Sequence, residues 1–136
     1  MSTLKQLFYV SRIADGIDER GIRNVLAISR RNNRMLDVTG CLTFTGRHFA
    51  QTLEGREDAI DELSGRILAD HRHTAVRVLL ERGLTLREYP LWSMAFLDSL
   101  ELADEIQALA DAVQPTSRKM RQLMSRLKPD TVMGAL

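Results

Sequence analysis

The chain has 136 residues, of which 44% are hydrophobic and 27% charged, a balance that favours one globular domain and excludes wholesale disorder. Its 19 basic and 18 acidic residues leave a formal net charge of +1, so no overall electrostatic argument favours nucleic-acid or membrane partners. The single cysteine, Cys41, excludes an internal disulfide and a cysteine-cluster metal site. Because the N-terminus lacks a signal-peptide core and no run approaches roughly 18 apolar residues, we expect a soluble, cytoplasmic protein.

The first half of the chain is predicted to contain three strands and one helix. Alternating side chains indicate a strand over Leu4–Ser11. Asp18 can serve as the N-cap of a helix that carries apolar residues at helical spacing and ends near Asn32–Asn33. Two further strands, Val38–Phe44 and His48–Leu53, are joined by the tight hairpin between them.

The second half completes a recognisable order of elements. A second helix begins at Glu57, and an apolar strand, Val76–Leu80, follows it. A fifth strand is predicted over Trp92–Phe96, with Trp92 and Met94 on one face. The order strand, helix, strand, strand, helix, strand, strand predicts a ferredoxin-like α+β fold, in which two helices pack on one face of a mixed sheet.

A helical tail follows this sheet domain. One apolar stripe runs from Leu102 to Val113 and Pro115 ends it, and Ser117 can cap a last helix that carries Met120 and Met124. We therefore divide the chain into residues 1–97 and a C-terminal helical extension, residues 98–136, within one compact unit. The tail stripes must be buried on the open face of the sheet or on another subunit.

Gln51 is the most informative residue of the sheet domain. It shares a strand face with Phe49 and Leu53, and an unpaired amide among such neighbours costs about 1–3 kcal/mol. Tyr9 lies mid-strand, and a buried tyrosine generally packs its ring and finds one acceptor for its hydroxyl. The alternative for Tyr9 is that its hydroxyl pairs with the Gln51 amide beside a ligand, provided that both strands are central.

Other polar residues allow a structural and a functional interpretation. The pair Asn32–Asn33 suits a helix C-cap, but side-chain amides also match the edge of a heterocycle. The segment Asp70–His73 lacks the ligand spacing of a metal site, so we expect none there. Cationic side chains at this helix end favour the dipole, and Arg72 can also donate to a ligand carbonyl. Cys41 is expected to be an inert, small apolar residue.

Together these segments resemble the BLUF family of flavin-binding blue-light sensors, over about Leu4 to Leu97. Five stretches in this order carry the resemblance: Leu7-Phe8-Tyr9-Val10-Ser11; Ser29-Arg30-Arg31-Asn32-Asn33; Val38-Thr39-Gly40-Cys41-Leu42; Phe49-Ala50-Gln51-Thr52-Leu53-Glu54-Gly55; and Asp70-His71-Arg72-His73 with Arg87-Glu88-Tyr89-Pro90-Leu91-Trp92-Ser93-Met94.

The resemblance implies a noncovalent FAD, or FMN, with its ring between the two helices. Tyr9 would be the photochemical electron and proton donor, and Gln51 would bridge its hydroxyl to the flavin. The remaining implied flavin-binding residues are Val25 and Ile67 on either side of the ring, Asn33 hydrogen-bonded to its edge with Asn32 in support, and Arg72 and His73 near its C2 carbonyl. Trp92 and Met94 match the pair that relays the switch along strand five. No metal is implied.

The length of the tail predicts a sensor without an enzymatic effector. We expect a short stand-alone photoreceptor, because residues 98–136 are too few for a cyclase or phosphodiesterase domain. Its signal would pass to a downstream signalling protein, or through a homodimer or higher homo-oligomer, with no direct contact to nucleic acid or membrane. Two alternatives from other classes stay open: a small flavin-dependent oxidoreductase, and a ferredoxin-like interaction module that binds no cofactor.

Overall fold

The computed structural model describes residues 4–89, 95–98 and 100–112, together with Arg118, Gln122 and Met124. Its elements in chain order are β1 (Leu4–Ile13), α1 (Glu19–Leu36), β2 (Thr39–Phe44), β3 (His48–Arg56), α2 (Glu57–Ala69), β4 (His73–Leu84), β5 (Ala95–Asp98), a 3-10 turn (Leu100–Leu102) and α3 (Ala103–Asp111). Trp92 and Met94 lie outside the described residues, as does the predicted last helix apart from the three single positions.

The strands form one mixed sheet in the order β4-β1-β3-β2-β5. Strand β1 is antiparallel to both β3 and β4, and β2 is antiparallel to β3 but parallel to β5. This order confirms the predicted ferredoxin-like α+β arrangement. It also makes β1 and β3 central neighbours, which was the condition for bringing Tyr9 to Gln51.

Helix α1 begins as predicted but ends later than predicted. The Asp18 side chain caps its first turn by accepting a hydrogen bond from the Gly21 N–H at 3.0 Å. The predicted end at Asn32–Asn33 was wrong, because Arg34, Met35 and Leu36 continue the helix. Asp37 ends it in the left-handed conformation, with φ 55°, and so takes the capping role that the sequence assigned to the asparagines.

The two faces of the sheet carry separate cores. Helices α1 and α2 cover one face, where the buried apolar residues include Leu7, Leu42, Phe49, Leu53, Ile60 and Leu63. Helix α3 covers the other face, where its Ile106 and Leu109, together with Leu102 of the preceding 3-10 turn, cluster with Phe8, Val10 and Ala50. The stripe of α3 is therefore buried on the open sheet face, which was one of the two predicted locations. No helix among the described residues is long and apolar enough to span a membrane.

Candidate functional site

The centre of the sheet brings Tyr9 and Gln51 together. The antiparallel register of β1 and β3 places the two residues directly opposite each other. The Tyr9 hydroxyl donates a hydrogen bond to Gln51 Oε1. The two residues are only 3% and 4% exposed, so water does not compete for this bond. The predicted pairing of the tyrosine with the amide is confirmed.

Burial also sets the protonation state of this hydroxyl. It raises the pKa of Tyr9 well above its ordinary value, and the charge of Asp70 adds to the rise, because both disfavour a phenolate. Tyr9 is thus a neutral hydrogen-bond donor over the physiological range. Burial likewise raises the pKa of the Cys41 thiol to about 12, which keeps it protonated and agrees with the expectation of an inert residue.

A cavity of about 340 Å³ opens between α1 and α2 above this pair. Gln51 and Leu53 of β3 contribute to its lining, and aliphatic side chains line it from both helices: Val25 and Ile28 from α1, and Leu63 and Ile67 from α2. A smaller adjoining cavity of about 30 Å³ extends to Tyr9 and Phe49. Two aliphatic walls with a polar floor form a slot suited to a flat heterocycle.

The asparagines of α1 line the larger cavity side by side. Asn33 is buried, with 1% of its surface exposed, whereas Asn32 is half-buried. Since the helix continues past them, neither residue acts as a cap, and both side chains reach the cavity. Val25 and Ile67 line both cavities from opposite helices. The structure therefore brings these four predicted site residues to one slot.

Arg72 lines the cavities as the partner of an aspartate. Its Nε and Nη2 donate to the two carboxylate oxygens of Asp70 at 2.9 and 2.7 Å, and its backbone N–H donates to Oδ1 at 3.0 Å. These bonds lower the pKa of the Asp70 carboxyl against the opposing effect of its burial. A fork-to-carboxylate pair of this kind fixes the guanidinium plane at the cavity edge.

His73 is held by protein partners at both ring nitrogens. Nε2 lies 2.7 Å from the Ile67 carbonyl oxygen, which can only accept, so Nε2 is the donor of this hydrogen bond. Nδ1 lies within hydrogen-bond distance of Ser11 Oγ, at 2.9 Å. The ring also meets the Tyr9 ring edge-on, with centroids 6.2 Å apart. His73 thus joins β1, β4 and the end of α2 beside Tyr9.

Among the described residues, four further polar side chains belong to the site, and the sequence interpretation gave them no role. Ser29, Arg66 and Asp70 line the larger cavity, and Ser11 orients His73. Helical spacing could have indicated Ser29, which lies four residues after Val25 and so on the same face of α1. Arg66 ion-pairs with Glu62 at 2.8 Å, a contact within one helix that gives no hint of the cavity.

The donors and acceptors of this slot fit the polar edge of a flavin ring. Amides, a guanidinium and a carboxylate line it, and they can meet the carbonyl oxygens, ring nitrogens and N–H of such a heterocycle. The aliphatic walls match its apolar faces. The volume lies at the lower end of small-molecule pockets, which measure roughly 300–1,000 Å³, and suits the ring system rather than a whole dinucleotide.

Comparison with known proteins gives a consistent result. Residues 4–95 match the family model described as BLUF, sensors of blue-light using FAD. The solved dark-state structure of BlrB, a BLUF protein, superposes with a TM-score of 0.77 at 32% sequence identity, covering 92% of this chain and 95% of that one.

Two curated relatives are larger proteins. The blue light- and temperature-regulated antirepressor BluF of Escherichia coli is 34% identical over 110 residues, which are 79% of this chain and 27% of that protein. Photoactivated adenylate cyclase subunit beta of Euglena longa is 29% identical over 136 residues, which are 99% of this chain and 16% of that protein. The chain thus spans about a quarter of the first relative and less of the second.

Proposed function

The chain belongs to the BLUF family of blue-light sensors, and from this premise we propose that it is a photoreceptor that binds flavin noncovalently and signals to a protein partner. The observation that carries the proposal is the buried hydrogen bond from Tyr9 to Gln51 at the floor of the interhelical cavity. A donor and a switchable amide in contact beside a slot for a heterocycle form the minimum of a light-driven hydrogen-bond switch.

The cavity residues divide into those that hold the ring and those that react to light. Val25 and Ile67 would hold the faces of the ring, and Asn32, Asn33, Arg72 and His73 would meet or support its edge. When bound, the flavin supplies the absorption of blue light and an excited state that accepts an electron and a proton. FAD is the cofactor in the family description, and FMN offers the same ring.

Tyr9 is suited to the donor role because its proton is held in the dark. Its raised pKa keeps the phenol neutral, and the bond to Gln51 Oε1 fixes the direction in which the hydroxyl points. A phenol can release an electron and a proton together and take both back. The sensor would therefore return to its starting state with no net chemistry.

Gln51 is suited to the switching role because an amide is asymmetric. Its oxygen accepts from Tyr9 in the observed orientation. Rotation or tautomerisation would present a donor where the acceptor was, so that the hydroxyl would have to accept instead. Reversal of this bond would change the field at a bound flavin, and we expect a red-shifted absorption that reverts in the dark.

We infer that the output leaves through strand five and the helical tail. Residues 1–97 would form the sensor and residues 98–136 would carry the signal, with Trp92 and Met94 as the relay into the tail. Helix α3 lies on the sheet face opposite the cavity, so a shift of the central strands acts on both faces. The receiver would be a separate signalling protein or another copy of this chain, and no enzymatic step is required.

The test is a visible spectrum of the purified, flavin-loaded protein before and after blue light. We expect a small red shift that reverts in the dark. Tyr9→Phe should keep the flavin and lose the shift. The only other tyrosine, Tyr89, is also buried but does not line the cavities, so Tyr89→Phe is the matched control and should keep the shift.

The other outcomes identify the alternatives. A red shift that persists in Tyr9→Phe would contradict the donor role of Tyr9. Steady NAD(P)H oxidation by the flavin-loaded protein would favour a small oxidoreductase. A protein that stays colourless after incubation with FAD would favour an interaction module without a cofactor.

A further inference from the structure

Glu54 is a fully buried carboxylate outside the cavity. It lies three residues after Gln51 in β3, and its register neighbours place it on the α3 side of the sheet. Its exposure is 0%. Oε2 accepts from Gln6 Nε2 at 2.7 Å, and Oε1 accepts from the Tyr89 backbone N–H at 2.8 Å. Arg82 Nε donates to Gln6 Oε1 at 2.7 Å, which leaves the Gln6 amide nitrogen directed at the carboxylate.

The main chain of Glu54 also binds the segment that contains Tyr89. Its carbonyl oxygen accepts from Arg87 Nη1 at 3.0 Å. Arg87 also donates to Thr39 Oγ1 at 2.9 Å and to the Asp37 carbonyl at 2.8 Å. Residues 87–89 are thus bound to β3 through both the side chain and the backbone of Glu54, and we name these contacts with Arg87 and Tyr89 the Glu54 anchor.

Tyr89 extends the anchor in two directions. Its hydroxyl donates to the Met124 carbonyl at 3.2 Å, and the Thr52 side chain hydrogen-bonds to the same hydroxyl. Thr52 is the immediate neighbour of Gln51 in β3. Tyr89 therefore contacts the strand beside the proposed switch, and it contacts the helical tail. It also directly precedes the segment that leads to β5.

Because Glu54 is buried, its contacts with residues 87–89 resist displacement. A buried carboxylate is costly to leave unpaired, so its donors must follow it when the strand moves. Burial raises the pKa of the Glu54 carboxyl, and the bonds from Tyr89 and Gln6 oppose that rise. The bonds therefore matter to the stability of the charge, and a displacement of β3 cannot leave residues 87–89 behind without breaking them.

We propose that Glu54 is a positioning residue that couples β3 to the segment entering β5 and to the helical tail, so that a change at Gln51 reaches the output end of the molecule through the Glu54 anchor. This inference rests on the proposed function for its light-dependent part. Its structural part, the anchoring of Tyr89, can be tested in the dark.

The test compares hydrogen exchange in the flavin-loaded full chain, in the dark and under blue light. Glu54→Gln keeps the shape and removes the charge, and Tyr89→Phe removes only the hydroxyl. Glu81→Gln is the matched control, because Glu81 is a half-exposed glutamate on β4, which β1 separates from β3, and its ion pair with Lys5 spans 3.4 Å. In the dark, Glu54→Gln should speed exchange of the Tyr89 amide at least about tenfold, since its acceptor loses charge, and Glu81→Gln should leave it unchanged.

Under light, the wild type and Glu81→Gln should change exchange within residues 95–112. Glu54→Gln and Tyr89→Phe should keep the red shift but lose most of that exchange difference. An unchanged Tyr89 amide in Glu54→Gln, or a full light-dependent difference in both variants, would overturn the inference. A wild type without a red shift would instead overturn the proposed function, and the dark exchange of Tyr89 would still decide whether the anchor exists.

Discussion

The hydrogen bond between Tyr9 and Gln51 should produce a non-additive effect on stability. Both residues are nearly inaccessible, at 3% and 4% exposure, so water cannot replace a lost partner. Tyr9→Phe leaves the Gln51 oxygen without this donor, and Gln51→Leu leaves the Tyr9 hydroxyl without this acceptor. Each single change should cost about 1–3 kcal/mol.

The double variant Tyr9→Phe/Gln51→Leu removes both polar groups together. The leucine matches its strand-face neighbours Phe49 and Leu53, which are both buried. The double change should therefore cost less than the sum of the single changes, by about 1–2 kcal/mol. Against a typical total of about 5–15 kcal/mol, all three variants should fold, whereas none should keep the light response.

Urea unfolding of the flavin-saturated protein in the dark measures this coupling. Flavin is kept at the same excess over its Kd in each variant, because bound ligand adds to apparent stability. The control cycle pairs Tyr9→Phe with Tyr89→Phe, whose hydroxyl contacts Met124 instead and should give additive changes. Additivity within about 0.5 kcal/mol for Tyr9 and Gln51 would refute the reasoning that the two groups satisfy each other.

Three further predictions follow from the geometry. The raised pKa of Tyr9 should keep the red-shift amplitude constant up to about pH 10, where an ordinary tyrosine is half ionised, and a loss of amplitude between pH 8 and about pH 10 would contradict it. The lowered pKa of Asp70 means that the bond to Arg72 stabilises the fold at pH values above an ordinary aspartate pKa of about 3.9. This stabilisation is lost as the pH falls through the pKa of Asp70 in the folded protein. Asp70→Asn should therefore be less stable than wild type in denaturant at neutral pH, and the difference should shrink in acid. Gly40→Ala should destabilise by about 3 kcal/mol in the same assay, because a Cβ there would collide with the Thr52 carbonyl oxygen; a near-neutral effect would show that β2 and β3 are less closely paired.

Local patterns in the sequence were sufficient for the order of the elements and for most of their starts. Asp18 caps α1 and Glu57 begins α2 as predicted, because capping chemistry and apolar periodicity act over a few residues. The end of α1 was wrong for the same local reason. Asn is a common C-cap, but Asp37 also adopts the left-handed conformation, and propensity alone does not rank two neighbouring candidates.

The sequence predicted the central pair of the candidate site but gave no role to Asp70 and Ser11, the partners of Arg72 and His73. Tyr9 and Gln51 could be recognised from the sequence, because they are polar residues in otherwise apolar strands. Asp70 and Ser11 gave no such signal, since an aspartate at a helix end and a serine at a strand end are ordinary on the surface. Their roles depend on Arg72 and His73, which reach them only in the folded chain.

The sequence by itself determined which residues share a face and in what order the elements occur, because side-chain direction repeats every two residues in a strand and every 3.6 in a helix. Only the tertiary structure decided the register that sets Tyr9 against Gln51, 42 positions apart, and the contact of Glu54 with Tyr89, 35 positions apart. Such contacts depend on how separate strands pair, and no local preference encodes that choice. The sequence therefore predicted Tyr9 and Gln51 as candidates for the switch, whereas their proposed connection to the helical tail could be recognised only in the folded structure.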